Sequence, residues 1–407
     1  MMILNHVMGV SNAAPRPSTS TSAQASYKSR PEGLVENLRT HGKARKPASM
    51  VIAGFIAAAC YFSPLESRAA PEAAQEPAAA RLTLFGRYVD ALRLRARIPG
   101  LSAAIIHQQR IIWEDGFGFQ DLERRIAARP DTPYRIASLT KTLSSTLLMQ
   151  CLDRRTVDLD SPISRYTTLI PEPGATVRHV LSHTSQAPPG TAFRYSGDRY
   201  AALTAVVEAC TERPFRQALA AGILDPLGMW DSVPGQDLED PSAEAAALFD
   251  GPTLARYADV IARLAKPYTL DTRGRAVAAD YPPRGINASA GLISTVRDLA
   301  IFDAAIDRRL LVSSDAQELA WTPYVSSAGA SQPHALGWFV QQYQATRLVW
   351  HYGYWPQFSA LYLKAPERDL SLIMLANSGE LSSPFPLGAG DVTKSSFARL
   401  FLSLFVD

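Results

Sequence analysis

Cysteine is scarce, with three in 407 residues: Cys60, Cys151 and Cys210. That excludes a disulfide-built scaffold and leaves one bridge, Cys151 to Cys210, as the alternative in an oxidising compartment. Both of these cysteines fall on apolar faces of predicted helices, a setting that favours free buried thiols. Charge of one sign is also sparse. Charged residues make up 19% of the chain and the formal net charge is +3. Much of the positive excess sits in the first fifty residues (Arg16, Lys28, Arg30, Arg39, Lys43, Arg45, Lys46), so the body is near neutral and no nucleic-acid surface is expected. The apolar run Met50 to Phe62 is too short to span a bilayer comfortably. His179 and His183 have metal-ligand spacing, but the glutamate of a zinc-protease helix is missing between them and no third ligand is evident, so structural hydrogen bonding is expected and metal is not. No cofactor is implied.

What is present begins with a leader. Residues 1 to 49 are rich in Ser, Ala, Pro and Asn without hydrophobic period. Lys43-Ala44-Arg45-Lys46, the Met50–Phe62 run and Ser67-Arg68-Ala69 then make a basic region, an apolar region and a small-residue cleavage site. This is the order of a secretory signal, so an exported, periplasmic or extracellular protein is expected. Cys60 after Ala57-Ala58-Ala59 forms a poor lipidation site, and membrane attachment is expected only if Cys60 is lipidated. Ala70 to Ala80 reads as an Ala/Pro/Glu tether. The expected division is therefore residues 1–80 as leader, export signal and linker, and residues 81–407 as one domain.

Within that domain the apolar period changes twice. Leu82 to Arg97 has helical spacing, and Leu101–His107 with Ile111–Phe117 reads as an antiparallel hairpin. Helical patterns follow from Ser138 onward, at Val177–Leu181, Arg199–Cys210, Leu254–Leu264 and Thr295–Ile306, the last with Val296, Leu299, Ile301 and Phe302 inward. Four strands then occupy Leu336–Gln342, Leu348–Tyr352, Phe358–Lys364 and Leu370–Leu375, and a helix spans Ser395–Phe405. The pattern predicts an α+β fold: one antiparallel β-sheet built from both chain ends, flanked by helices, with a mainly helical region inserted.

The chemistry concentrates at Tyr134-Arg135-Ile136-Ala137-Ser138-Leu139-Thr140-Lys141. A serine hydroxyl is a weak nucleophile at neutral pH and needs a proton acceptor held against it. Positions i and i+3 share a helix face, which sets the Lys141 amine one turn from Ser138. Desolvation lowers a lysine pKa, and the neutral amine can take the hydroxyl proton.

Other motifs follow in order: Leu181-Ser182-His183-Thr184-Ser185; Tyr195 in Phe193-Arg194-Tyr195-Ser196; Pro226-Leu227-Gly228-Met229; Gly285 to Thr295; and His351-Tyr352-Gly353. Together with Ser138 and Lys141 they resemble the class C β-lactamase family in its wide sense, which includes penicillin-binding peptidases and related esterases. The resemblance runs from about Leu82 to the C-terminus and implies a β-lactamase/transpeptidase-like fold. It implies a serine hydrolase in which Ser138 is acylated, Lys141 activates it and the Tyr195 phenol relays protons. It further implies backbone N–H groups of Ser138 and Tyr354 as the oxyanion hole, and His351 and Gly353 on the strand that edges the substrate. The partner so implied is a small-molecule or peptide acyl substrate, an ester or amide that extends to β-lactams or D-amino-acid peptides. Whether Lys141 or Tyr195 is the first base stays open at this point.

Two departures stand out. The second motif is normally Tyr-x-Asn, but here it reads Tyr195-Ser196-Gly197, and the stretch from Thr184-Ser185 to Pro189-Gly190 is short. Both weaken the expectation of tight β-lactam or peptidoglycan-stem recognition. They also support the alternative of a non-catalytic or capture-only penicillin-binding-like protein.

Overall fold

The computed structural model describes residues 72–407 apart from 187, 282 and 283. The leader, the signal region and Cys60 lie outside them. Helix α1 (Glu72–Ala96) starts ten residues before the predicted Leu82 and runs through the stretch read as a tether. Helical structure therefore begins inside the stretch expected to be a linker. Alanine and glutamate, which made the stretch look like a linker, are also strong helix formers.

Strands β1 (Gly100–His107) and β2 (Arg110–Asp121) form the predicted hairpin. Its two turn residues, Gln108 and Gln109, both have positive φ, the conformation that matches the right-handed twist of paired strands. With β3 (Ile126–Ala127), β4 (Phe339–Tyr343), β5 (Thr346–Trp355), β6 (Phe358–Ala365) and β7 (Leu370–Ala376), they build one seven-stranded sheet in the order β3-β2-β1-β7-β6-β5-β4. The β1–β7 pairing, Leu101 opposite Ala376 through His107 opposite Leu370, joins the two chain ends.

Side chains alternate across a strand, so a strand covered on both faces is apolar throughout. In β1, Leu101, Ala103 and Ile105 enter one core, whereas Ala104 and Ile106 enter the other. The first core is closed by α1 and the C-terminal helix Ser396–Phe405, where Phe85 meets Trp113 and Phe405 at ring distances of 5.2 and 5.5 Å. The second is filled by the inserted helices, above all α2 (Thr140–Asp153). Cys151 at the end of α2 forms a disulfide with Cys210 of the helix Leu203–Thr211, their Cα atoms 6.0 Å apart. The expectation of free thiols is thus corrected. The two apolar faces that carry the cysteines are packed against each other, which brings the sulfurs together.

The helix Val296–Asp307 is capped by the Thr295 hydroxyl, which accepts from the Asp298 N–H. Val296, Leu299 and Phe302 are buried as predicted, but Ile301 is 39% exposed, because two residues beyond Leu299 is off the buried stripe. Asp303 is buried instead and pairs with Lys364 and the Tyr362 hydroxyl on β6. No helix among the described residues is long and apolar enough to cross a membrane.

Candidate active site

Ser138 lies in the 3-10 turn Ala137–Leu139, which runs directly into α2. Ala137 adopts φ +48°, a conformation non-glycine residues rarely take, and the sharp turn leaves Ser138 half-buried between buried neighbours. The turn is fixed from two sides. Tyr134 and Arg135 pair with Ser294 and Ile293, and the Thr140 hydroxyl donates to the Ala137 carbonyl at 2.7 Å while accepting the Leu292 N–H.

One turn into α2, Lys141 has no exposed surface. Its Nζ lies 2.9 Å from Ser138 Oγ and donates to the Ser289 carbonyl, also at 2.9 Å. The amine faces the rings of Tyr200 and Tyr195, 5.3 and 5.4 Å from their centroids. Burial pulls its pKa from 10.5 down to about 7, with the charge of Asp198 opposing. A lysine so placed is about half neutral near pH 7, and its lone pair can accept the Ser138 proton.

Tyr195 packs against Lys141 and is half-buried. Burial and the neighbouring Tyr352 push its phenol pKa above the ordinary tyrosine value, against an opposing interaction with the Ser138 hydroxyl. The Tyr195 hydroxyl is sealed from solvent and closes no hydrogen bond of good geometry, so it sits beside Ser138 without being tied to it. The phenol remains protonated at neutral pH, and its electrostatics favour a proton donor over a first base.

Strand β5 forms the opposite wall. A Cβ on Gly353 would lie 2.3 Å from the Ile136 carbonyl oxygen and 3.2 Å from Ala137 Cβ. Only glycine lets the strand approach the serine turn so closely. Tyr354 pairs in register with Ser359, and its side chain is 42% exposed, as is that of Trp355 at 43%.

His351 sits deeper than a strand-edge position suggests. His351 is fully buried, its Nδ1–H donating to the Tyr352 carbonyl at 2.7 Å and its ring 6.1 Å from that of Tyr195. Strand alternation puts it on the face of Gly353, packed against the rings of Phe339 and His334 and behind that of Tyr195.

Histidines that spacing suggested as a pair diverge. His179 closes the capping box of the helix Val177–Leu181 by accepting the Thr176 N–H, whereas His183 follows the helix end with φ +55° and turns away. Its Nδ1 accepts the Ser196 N–H, and its ring lies 4.4 Å from Tyr195 and 4.7 Å from His334. Burial holds His183, His334 and His351 well below the ordinary histidine pKa, so neutral rings buttress the tyrosine. No group of His, Cys, Asp and Glu that could hold a metal occurs among the described residues. His334 and Tyr200 are given no site role by the sequence, and Ser289 enters only as part of the Gly285 to Thr295 motif; they contribute a ring, a ring and a backbone carbonyl.

Comparison with known proteins agrees with this geometry. A family model described as Beta-lactamase matches residues 84–390. The serine beta-lactamase-like protein LACTB, mitochondrial, of Homo sapiens is 31% identical over 136 residues, 30% of this chain and 25% of that protein. Penicillin-binding protein 4* of Bacillus subtilis is 21% identical over 307 residues, 66% of each chain. The chain therefore spans about a quarter of the first relative and just under two thirds of the second. The octameric penicillin-binding protein homologue from Pyrococcus abyssi superposes with a TM-score of 0.65 at 22% identity, covering 79% of this chain and 77% of that one. At that identity the likeness shows the β-lactamase/transpeptidase-like fold.

Proposed function

The chain belongs to the β-lactamase family, and from that premise we propose that it is a serine hydrolase that forms an acyl-enzyme at Ser138 with ester or amide substrates. The observation that carries the reading is the 2.9 Å approach of Lys141 Nζ to Ser138 Oγ on an amine held near neutrality by burial. Neutral Lys141 takes the hydroxyl proton as Ser138 Oγ attacks the substrate carbonyl. The oxyanion accepts from the N–H groups of Ser138 and Tyr354, an arrangement in which each donor contributes about 3 kcal/mol. Collapse of the intermediate breaks the bond to the leaving group, which takes the Tyr195 phenol proton while the Lys141 ammonium reprotonates Tyr195. Water then attacks the acyl-Ser138 ester, giving one proton back through the same pair and releasing the acid. The neutral surroundings of Lys141 support it as the first base, and the raised pKa of Tyr195 supports the phenol as acid.

The test is hydrolysis of short-chain p-nitrophenyl esters by the purified protein. Turnover is expected to disappear in Ser138→Ala, and equal turnover in that variant would overturn the proposal. Nitrocefin measured alongside separates an esterase from a β-lactamase. Export is part of the same proposal, supported by the Cys151–Cys210 disulfide, which is typical of an oxidising compartment. Mass spectrometry of the protein from its native host is expected to find an N-terminus near Ala69, or a lipidated Cys60 if it is membrane-attached. A chain beginning upstream of Met50 in the exported fraction would contradict it.

A further inference from the structure

A serine that belongs to none of the motifs reaches the main chain of the strand that carries Gly353. Ser382 is 3% exposed, and its hydroxyl donates to the Gly353 carbonyl at 3.0 Å. The same hydroxyl oxygen lies 3.5 Å from the carbonyl of Ala360, the residue opposite Gly353 on β6. A hydroxyl has one proton to donate, and the nearer acceptor, Gly353, takes it. The reaction above does not use this contact.

The serine is held by a turn tied to both strands. Ser382 closes the 3-10 turn Gly379–Leu381, its own N–H donating to the Gly379 carbonyl at 3.1 Å. The Gly379 N–H donates to the carbonyl of Pro356, between β5 and β6, at 3.0 Å. From β6, the Ser359 hydroxyl donates to the Ser378 carbonyl at 2.5 Å and accepts the Leu381 N–H at 3.2 Å. A Cβ on Gly379 would lie 3.1 Å from a ring carbon of Tyr354, so the turn also rests against that side chain. A hydroxyl so anchored acts at a fixed place.

The Gly353 carbonyl and the Tyr354 N–H belong to one peptide group. That group is planar and trans, so its two dipolar ends point in opposite directions and turn together. The carbonyl meets Ser382 on the side of β6, since the Ala360 carbonyl lies beside the same hydroxyl. The Tyr354 N–H is thereby aimed away from β6, toward the edge of β5 that β4 covers only as far as Trp350. An N–H on an uncovered strand edge is available to a ligand. A hydrogen bond accepted by the carbonyl also polarises the peptide and strengthens its N–H as a donor.

We propose that Ser382 is a positioning residue of the reaction, its hydroxyl orienting and polarising the Gly353–Tyr354 peptide so that the Tyr354 N–H meets the oxyanion. The effect grows as negative charge develops on the substrate oxygen, so it belongs to the transition state more than to the bound ester. This inference rests on the Ser138 acyl-enzyme reading with Tyr354 as a donor, and extends it to a residue that acts through the main chain.

The experiment measures the full chain's kinetics with p-nitrophenyl acetate and with its thiono counterpart, in which sulfur replaces the carbonyl oxygen. Sulfur is the weaker hydrogen-bond acceptor, so the oxygen ester depends more on the two donors. Ser382→Ala is expected to lower kcat for the oxygen ester about tenfold with KM unchanged, part of the hundredfold or more that a whole donor supplies. It is also expected to lower the oxygen-to-sulfur ratio of kcat/KM several-fold, whereas Ser382→Thr, which keeps the hydroxyl, is expected to hold the wild-type ratio. An equal fall for both esters would mean that Ser382 only supports the fold. A ratio unchanged in Ser382→Ala, or as low in Ser382→Thr, would mean that the hydroxyl does not act through the peptide. Each of these results overturns the inference. Should Ser382→Ala not fold, Ser382→Cys puts a poor donor in the same place; the same fall in ratio is expected, and an unchanged ratio overturns the inference. Equal turnover of the oxygen ester after Ser138→Ala is a different result, the failure of the acyl-enzyme reading itself.

Discussion

Replacing Lys141 by methionine is expected to raise stability in acid and to lose that advantage in alkali. The ammonium is fully buried and its pKa falls from 10.5 to about 7, so the folded protein gives up a proton that the unfolded chain keeps. Between those two values the unfolded state binds more protons, and stability must rise with pH. Below about pH 7 the cost of burying the charge is fully present, roughly 5 kcal/mol for a shift of that size. Above the unfolded value it is gone. Methionine has similar length and no charge, and it strands the Ser289 carbonyl at a cost of about 1 to 3 kcal/mol that does not vary with pH. The decisive quantity is therefore the change in the stability difference between pH 6 and pH 10, about 4 kcal/mol in the wild type's favour as pH rises. Urea unfolding of both proteins at several pH values measures it. A difference that stays constant across this range would refute the argument that desolvation sets the state of Lys141.

Other outcomes follow from the same structure. The pH dependence of kcat/KM for an ester is expected to rise with a midpoint near 7 as Lys141 loses its proton, whereas a midpoint near that of a free lysine would contradict the assignment. Gly353→Ala places a methyl 2.3 Å from the Ile136 carbonyl and is expected to lower kcat about a hundredfold or more by pushing Tyr354 away from Ser138. Wild-type rates in that variant would show that the strand's approach is not required. Breaking the Cys151–Cys210 bridge, by reduction or Cys210→Ser, removes a constraint across 59 positions and is expected to cost between about 2 and 4 kcal/mol in urea unfolding. Ile301→Ser is expected to change stability by less than about 0.5 kcal/mol, and Phe302→Ala to lower it by about 3 to 5 kcal/mol. Comparable losses in the two would contradict the observed helix face.

The sheet was legible because its strands are bounded by turn residues and because its two covered faces make them apolar throughout. Ser138 and Lys141 were legible for a different reason, since i and i+3 on a helix must meet. The relation of Cys151 to Cys210 could not be read this way. It depends on how two helices 59 residues apart cross, and only packing decides that. The same holds for His351, whose strand was identified while its face was not, and for Ser289, which reaches Lys141 through a backbone carbonyl that any residue would provide. Alanine-rich Glu72 to Ala80 misled because one composition suits both a tether and a helix.

The claim on which the rest depends is that a single serine is the nucleophile. Labelling of the full chain with a fluorophosphonate probe, followed by proteolysis and peptide mapping, addresses it without knowledge of the substrate. One adduct is expected, on the peptide that contains Ser138, abolished by Ser138→Ala and strongly slowed by Lys141→Met. Adduct on a different residue, or labelling that persists undiminished in Ser138→Ala, would contradict it.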